Sequence, residues 1–226
     1  QTCALPILRS ASLQSSRPQM ELVPGRLVHV RLMQTTRNID IVGCYQHVFT
    51  RDKACLQHRE QFWTALDSLL TQLPARNTLT LLGDLNCSLP AATGICGNAK
   101  YRWQDKTIPG TTHPDSNRFL TVLKKHGLVA LNTWNSSTGP TFVSTGGTSR
   151  IDYFCTRKQF ADGKAKDTQC LWDAPCQPLA QAGHAVLIGH IAMYWIPPTS
   201  QLTGLTPHQK LQGRIAKMTN STAWQN

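Results

Sequence analysis

The chain has 226 residues, 40% of them hydrophobic, and at 25.1 kDa is long enough for one domain with a substantial core. No apolar run reaches the length of a membrane span, and no basic start, apolar segment and small-residue cleavage site forms a secretory leader. Twelve Asp and Glu stand against 23 Lys and Arg, a formal charge of +11 with a pI near 9.6. That surplus favours a polyanionic partner such as nucleic acid, because each phosphate neutralised releases counterions.

Residues 1–22 show neither helical nor strand periodicity and do not begin with Met. The opening "QTCALPI" resembles the in-frame translation of a sequencing-library adapter. That resemblance implies an unstructured leader, partly artefactual, and a domain incomplete at its N-terminus. "MELVPG" reads as a turn entry.

From Arg26 the pattern is regular. "RLVHVRLM" and "IDIVGCYQHV" alternate as strands around the turn "QTTRN". "REQFWTALDSLLTQL" places Phe62, Leu66, Leu69, Leu70 and Leu73 on one helical face, and Pro74 ends it. "TLTLLGDLN" is then a buried strand. Residues 91–114 form a long Gly-, Pro- and Thr-rich loop.

"DSNRFLTVLKKHG" carries a capping residue, an apolar stripe through Phe119, Val122 and Leu123, and Gly127 as its stop. "LVALNTW" follows as a strand, and "PTFVSTGGTSRIDYFCT" as two strands around a Gly-Gly turn. A loop from Lys158 to Gly183 leads to a final strand, "HAVLIGHIAMYW". The domain therefore spans 23–198, and 199–226 is a polar, basic tail or linker.

The eight cysteines include no C-x-x-C pair and no zinc-finger spacing with His. Several lie in apolar strands, as in "IVGCY" and "DYFCT", where reduced Cys packs as a small hydrophobe.

Four places carry polar groups at or beside strand ends: Tyr45, Asp84 with Asn86, Asp152, and His184. Asp and Asn offer hard oxygen ligands suited to Mg²⁺. Residues i and i+2 share a strand face, so Asp84 and Asn86 can converge on one ion or water. An imidazole beside a carboxylate is held in one tautomer as a general base. Singly, each has an ordinary explanation: Asp precedes turns, Tyr packs in strands, and a lone His is commonly structural.

Their order and contexts are more specific. "YQHV" before "LLGDLN", then "NRF…HGLVALNTW", "TFVS…SRIDYF" and the closing His-Ala-Val-Leu-Ile resemble the endonuclease/exonuclease/phosphatase family. The likeness is greatest to the endonuclease domain of non-LTR retrotransposons and covers roughly Arg26 to Pro197. It implies an α+β fold, a four-layered α/β sandwich of two mixed β-sheets packed between helices. It also implies Mg²⁺-dependent phosphodiester hydrolysis, with Mn²⁺ as a substitute, on DNA in the nucleus, and a reverse transcriptase fused downstream.

By motif, His184 matches the general base and Asp152 the carboxylate that orients it. Asp84 and Asn86 match the pair that holds the metal and positions the attacking water, and Tyr45 the hydroxyl that contacts the phosphate. Ser149 and Arg150 would lie beside the scissile phosphate. His190 competes with His184 for the base, but falls mid-strand among Ile188, Ile191 and Ala192.

Two departures weaken the metal site. The family's final Ser-Asp-His is here Ala182-Gly183-His184, and Glu21 does not match the family's metal-binding Glu. The expectation is a nuclease scaffold with little or no cleavage. The alternatives are a silent nucleic-acid-binding remnant or a small-molecule phosphatase or phosphodiesterase, the last disfavoured by charge.

Overall fold

The computed structural model of the protein describes residues 20–33, 37–97, 113–135, 138–173 and 183–192. In chain order the first elements are β1 (Met20–Val23), β2 (Leu27–Leu32), β3 (Ile39–Tyr45), α1 (Lys53–Gln72), β4 (Thr78–Asp84), α2 (Ser116–Lys125) and β5 (Leu128–Ala130). They are followed by β6 (Phe142–Ser144), β7 (Gly147–Ser149), β8 (Asp152–Arg157), β9 (Gln169–Leu171), β10 (Gly183–His184) and β11 (Val186–Ile188).

The largest sheet is mixed, with strand order β1-β2-β3-β4-β8-β5. β3 and β4 run parallel, as the intervening crossover helix α1 permits, and the remaining pairs are antiparallel. β10, β6 and β7 form a second sheet, and β9 with β11 a two-stranded ribbon.

The period-3.6 leucine pattern of α1 does what its spacing predicts. Phe62, Leu66, Leu69, Leu70 and Leu73 are all buried, joined by Trp63. They meet Phe119, Val122 and Leu123 of α2 and one face of the sheet: Val42, Cys44, Leu79, Leu81, Tyr153 and Cys155. Strand alternation sends the intervening residues the other way. Phe154 joins a second cluster with Val129, Leu131, Ala161 and Ala165, and its ring lies against Gly189, just beyond β11. The large sheet thus lies between the two helices and the end of the ribbon. The α+β class holds; a second helical layer is not seen among the described residues.

Several boundaries differ from the sequence reading. "MELVPG" is not only a turn entry, since Met20–Val23 pairs with β2 as an edge strand. "LVALNTW" leaves the sheet at Ala130 and continues as a 3₁₀ turn over Leu131–Thr133. The final strand is two strands in different sheets, broken at Ala185, whose N–H turns to the Thr141 carbonyl at 2.8 Å. β9 lies in the stretch read as loop. Asp115 heads α2 without a side-chain cap, because Arg59 and Trp63 use its carboxylate. Residues 98–112, 174–182 and the tail 199–226 lie outside the described residues, as do Cys3 and Cys176. The other six cysteines are unbridged, and Cys44, Cys87, Cys96 and Cys155 are buried.

One glycine is dictated by strand spacing. Gly83 has φ +136, and a Cβ on it would sit 1.9 Å from the Cys44 carbonyl oxygen across the parallel pair. Replacement by alanine must force β3 and β4 apart and also strain the backbone. Gly83→Ala is expected to cost about 3 kcal/mol of stability in urea unfolding. An unchanged midpoint would show that the β3–β4 spacing is not what requires glycine.

Candidate active site

Strand register assembles the site. Tyr45 pairs with Asp84 across β3 and β4, and Asp84 pairs with Asp152 across β4 and β8. Leu79, Leu81, Tyr153 and Cys155 face the helices, so Asp84 and Asp152 project from the opposite face.

β10 brings His184 over this pair. Its Nδ1 lies 3.0 and 3.1 Å from the two Asp152 carboxylate oxygens, and its Nε2 lies 3.9 Å from Asp84 Oδ2. The Phe142 ring packs against the imidazole at 4.7 Å between centroids. A proton on Nδ1 donated to Asp152 leaves Nε2 facing Asp84 and the open side, where the ring is 43% exposed.

Two buried polar side chains fix this geometry. The Thr141 hydroxyl accepts from Asp152 N–H at 3.0 Å and Ile151 N–H at 3.1 Å. Its backbone binds Ser149 on one side and Ala185 on the other, so one residue ties Asp152 to the strand bearing His184. Asn132, fully buried, donates to the Asp152 carbonyl at 2.9 Å and accepts from Phe154 N–H at 3.2 Å.

Asp84 and Asn86 converge by a different route from strand alternation. Asn86 has φ +45, a left-handed conformation that Asn tolerates. Its N–H donates to Asp84 Oδ1 at 2.8 Å, an Asx turn that closes β4. Its side-chain amide donates to the Gln46 carbonyl at 2.8 Å and to Asp84 Oδ2 at 3.1 Å. The segments leaving β3 and β4 are thereby joined.

Behind them, Arg59 of α1 is buried and paired with Asp115 at 2.7 Å, and it also donates to the His47 and Asn86 carbonyls. Trp63 Nε1 donates to the same Asp115 oxygen at 2.8 Å.

The electrostatics single out Asp84. Burial and then the Asp152 carboxylate push its carboxyl up to about 7. Asp40, on β3, shows the contrast. Burial would raise it too, but hydrogen bonds from His29, Arg31 and Asn77 outweigh burial and hold it at about 2. His184 is raised, chiefly by its hydrogen bond to Asp152 and against its own burial. Asp84, Asp152 and His184 each offer one ligand atom within 4.8 Å of the others. Two carboxylates at partner positions, one held up by burial and by the charge of the other, fit a divalent cation.

The other sequence candidates fall as follows. Tyr45 sits one strand from Asp84, its ring under the Arg26 guanidinium at 4.4 Å. Ser149 ends β7, opposite Phe142, and its carbonyl accepts from Thr141 N–H. Arg150 is 3% exposed and donates to the Thr138 carbonyl at 2.7 Å, so it braces the chain before β6 instead of facing solvent. His190 is exposed beyond β11 and belongs to no strand. Glu21 is exposed on β1, three strands from β4, and accepts from Gly25 N–H. Thr141, Asn132, Gln46 and Arg59 escaped the sequence reading. "TFVS" and "LNTW" drew notice only as context, since nothing local says that a polar residue is buried.

The arrangement is that of the endonuclease/exonuclease/phosphatase fold. The 3′ phosphatase NExo from Neisseria, solved bound to a product DNA hairpin, superposes with a TM-score of 0.55 at 15% identity, over 74% of this chain and 65% of that one. An AP endonuclease from Archaeoglobus fulgidus gives 0.54 at 18% identity, over 75% and 66%. The endonuclease domain of TRAS1, a telomere-specific non-LTR retrotransposon, gives 0.49 at 16%, over 76% and 66%, which does not distinguish one branch of the fold from another. The chain thus spans slightly less than two thirds of these neighbours. No family model and no curated protein matches it. It shares the fold of these neighbours, and Asp84, Asp152 and His184 are grouped as ligands that could hold a metal ion. No helix among the described residues is long and apolar enough to cross a membrane.

A carboxyl at about 7 in the fold and near its ordinary value of 3.8 when unfolded loses stability as pH rises from about 4 through about 7. Asp84→Asn, which can keep the Asx turn, is expected to stabilise the metal-free protein by about 1–3 kcal/mol at pH 8. The gain should vanish at pH 4. Thermal unfolding at the two pH values checks this, and equal effects at both would refute it.

Proposed function

We propose that the chain is a divalent-metal-dependent nuclease that hydrolyses DNA phosphodiesters, of the nicking type that primes reverse transcription in a non-LTR retrotransposon. The observation that carries the reading is the convergence of Asp84, Asp152 and His184 from three strands. The fold of the DNA-processing neighbours and the charge of +11 support it. A chromosomal target in the nucleus and a polymerase encoded downstream belong to the same proposal.

His184 Nε2 accepts the proton of the attacking water, while Asp152 orients the ring and stabilises the imidazolium. The Asn86 side-chain carbonyl oxygen accepts from the attacking water beside Asp84, its two amide hydrogens being held by Gln46 and Asp84. The Tyr45 hydroxyl donates to a non-bridging oxygen. Mg²⁺, or Mn²⁺ in its place, would be held by Asp84 and its neighbours and supplies charge neutralisation for the phosphorus as it becomes five-coordinate.

The resemblance's carboxylate before His184 is replaced by Gly183, so affinity for the ion is low and cleavage slow. The same replacement favours the second reading, a DNA-binding module without turnover.

Supercoiled plasmid with millimolar Mg²⁺ separates the two. Slow nicking is expected, reduced about 100-fold or more in His184→Ala and retained in His190→Ala. Binding without nicking, or nicking indifferent to His184→Ala, would remove the catalytic reading. The base must be neutral and its folded pKa is raised, so the rate should climb with pH through the neutral range. In Asp152→Asn the acid limb of the rate profile should move to lower pH, because the hydrogen bond that raises His184 is weakened.

A further inference from the structure

The ladder that carries Tyr45, Asp84 and Asp152 extends one strand further. Leu27 pairs with Cys44, and Tyr45 N–H donates to the Arg26 carbonyl at 2.7 Å, so Arg26 continues the row at the start of β2. Its backbone lies two strand spacings from Asp84, roughly 10 Å. Its guanidinium leans back over the Tyr45 ring, Cζ at 4.4 Å from the centroid.

Just past Tyr45, the His47 imidazole stacks on that of His58 from α1, with centroids 5.2 Å apart and planes 26° apart. Among the described residues no carboxylate forms an ion pair with Arg26, His47 or His58. Of the neighbouring charged side chains, Arg59 is matched by Asp115 and His184 by Asp152.

Arg26 from the β1–β2 turn, on Tyr45, and His47 with His58, just past Tyr45, thus line the end of β3 with no paired acid among the described residues. His47 is lowered by burial and then by the positive charge of Arg26, His58 and Arg59. Such a patch suits an anion that spans it and the carboxylate cluster at once.

We propose that Arg26, His47 and His58 form a second phosphate subsite, which holds the backbone phosphate flanking the one placed at Asp84 and His184. This deepens the reading of the site as one that acts on DNA, and rests on it. The guanidinium bonds the flanking phosphate from above Tyr45, and the stacked imidazoles supply N–H donors on its far side. The subsite fixes strand register and carries no sequence information.

The test is fluorescence anisotropy of a labelled duplex oligonucleotide against salt, for the full chain and for Arg26→Gln, His58→Gln and Lys124→Gln. Lys124 is an exposed residue at the far end of α2 and controls for the loss of one charge. Arg26→Gln is expected to weaken binding about tenfold and to lower the slope of log affinity against log salt by about one. His58→Gln, at an exposed position that the fold does not need, should weaken binding several-fold, and Lys124→Gln should match the unmodified chain.

If Arg26→Gln and His58→Gln bind like Lys124→Gln, the subsite is overturned, and nicking that depends on His184 leaves the catalytic reading intact. If both weaken binding while no variant, nor the unmodified chain, nicks DNA, the subsite stands and the catalytic reading falls. Absence of DNA binding by the unmodified chain overturns both.

Discussion

Strand pairing in the large sheet sets two carboxylates directly opposite each other. Asp84 and Asp152 occupy partner positions on β4 and β8, on the face away from the helices, and neither can leave without breaking the register that buries Leu79, Leu81, Tyr153 and Cys155 on the other face. Like charges so placed are destabilising, and burial of Asp84 adds to the cost. The fold tolerates the pair because His184 answers Asp152 and because Asp84, raised to about 7, can stay protonated. Asp40, similarly buried but ringed by His29, Arg31 and Asn77, shows what the same sheet does with a carboxylate that serves structure. The hydrogen bonds around Asp40 outweigh its burial, whereas burial and the Asp152 charge prevail at Asp84.

A second charged pair holds the scaffold behind this site. Arg59 and Asp115 join α1 to α2, and the guanidinium also takes the carbonyls of His47 and Asn86. The loops leaving β3 and β4 are thus pinned to the helical layer. Removing either partner would leave a buried charge, a loss on the order of 3–5 kcal/mol. On the other side, the Thr141 hydroxyl and the Asn132 amide fix the start of β8. Site geometry therefore rests on buried polar groups that touch no reacting atom.

Much of this was legible in the chain. The leucine spacing of α1, the Gly127 stop and the strands through Asp84 and Asp152 follow from local periodicity, which short-range sterics enforce. Asp84, Asn86, Asp152 and His184 stand out because polar residues at strand ends are few and their contexts resemble one family. What stayed hidden depends on distant partners. Arg150 reads as a solvated arginine until its burial against Thr138 is seen. The split of the last strand at Ala185 needs the Thr141 carbonyl, and Arg59 needs Asp115, which lies 56 residues away. Alternation alone would set Asp84 and Asn86 on one strand face, but an Asx turn at a left-handed Asn is what joins them.

A divalent cation held between Asp84 and Asp152 would offset their repulsion and bind only the folded chain. Thermal unfolding of the chain over a range of Mg²⁺ concentrations at pH 8 tests this most directly, because a ligand that binds only the folded state raises the midpoint as its concentration grows. The midpoint should rise for the unmodified protein and stay flat for Asp84→Asn. The same rise in both would contradict it.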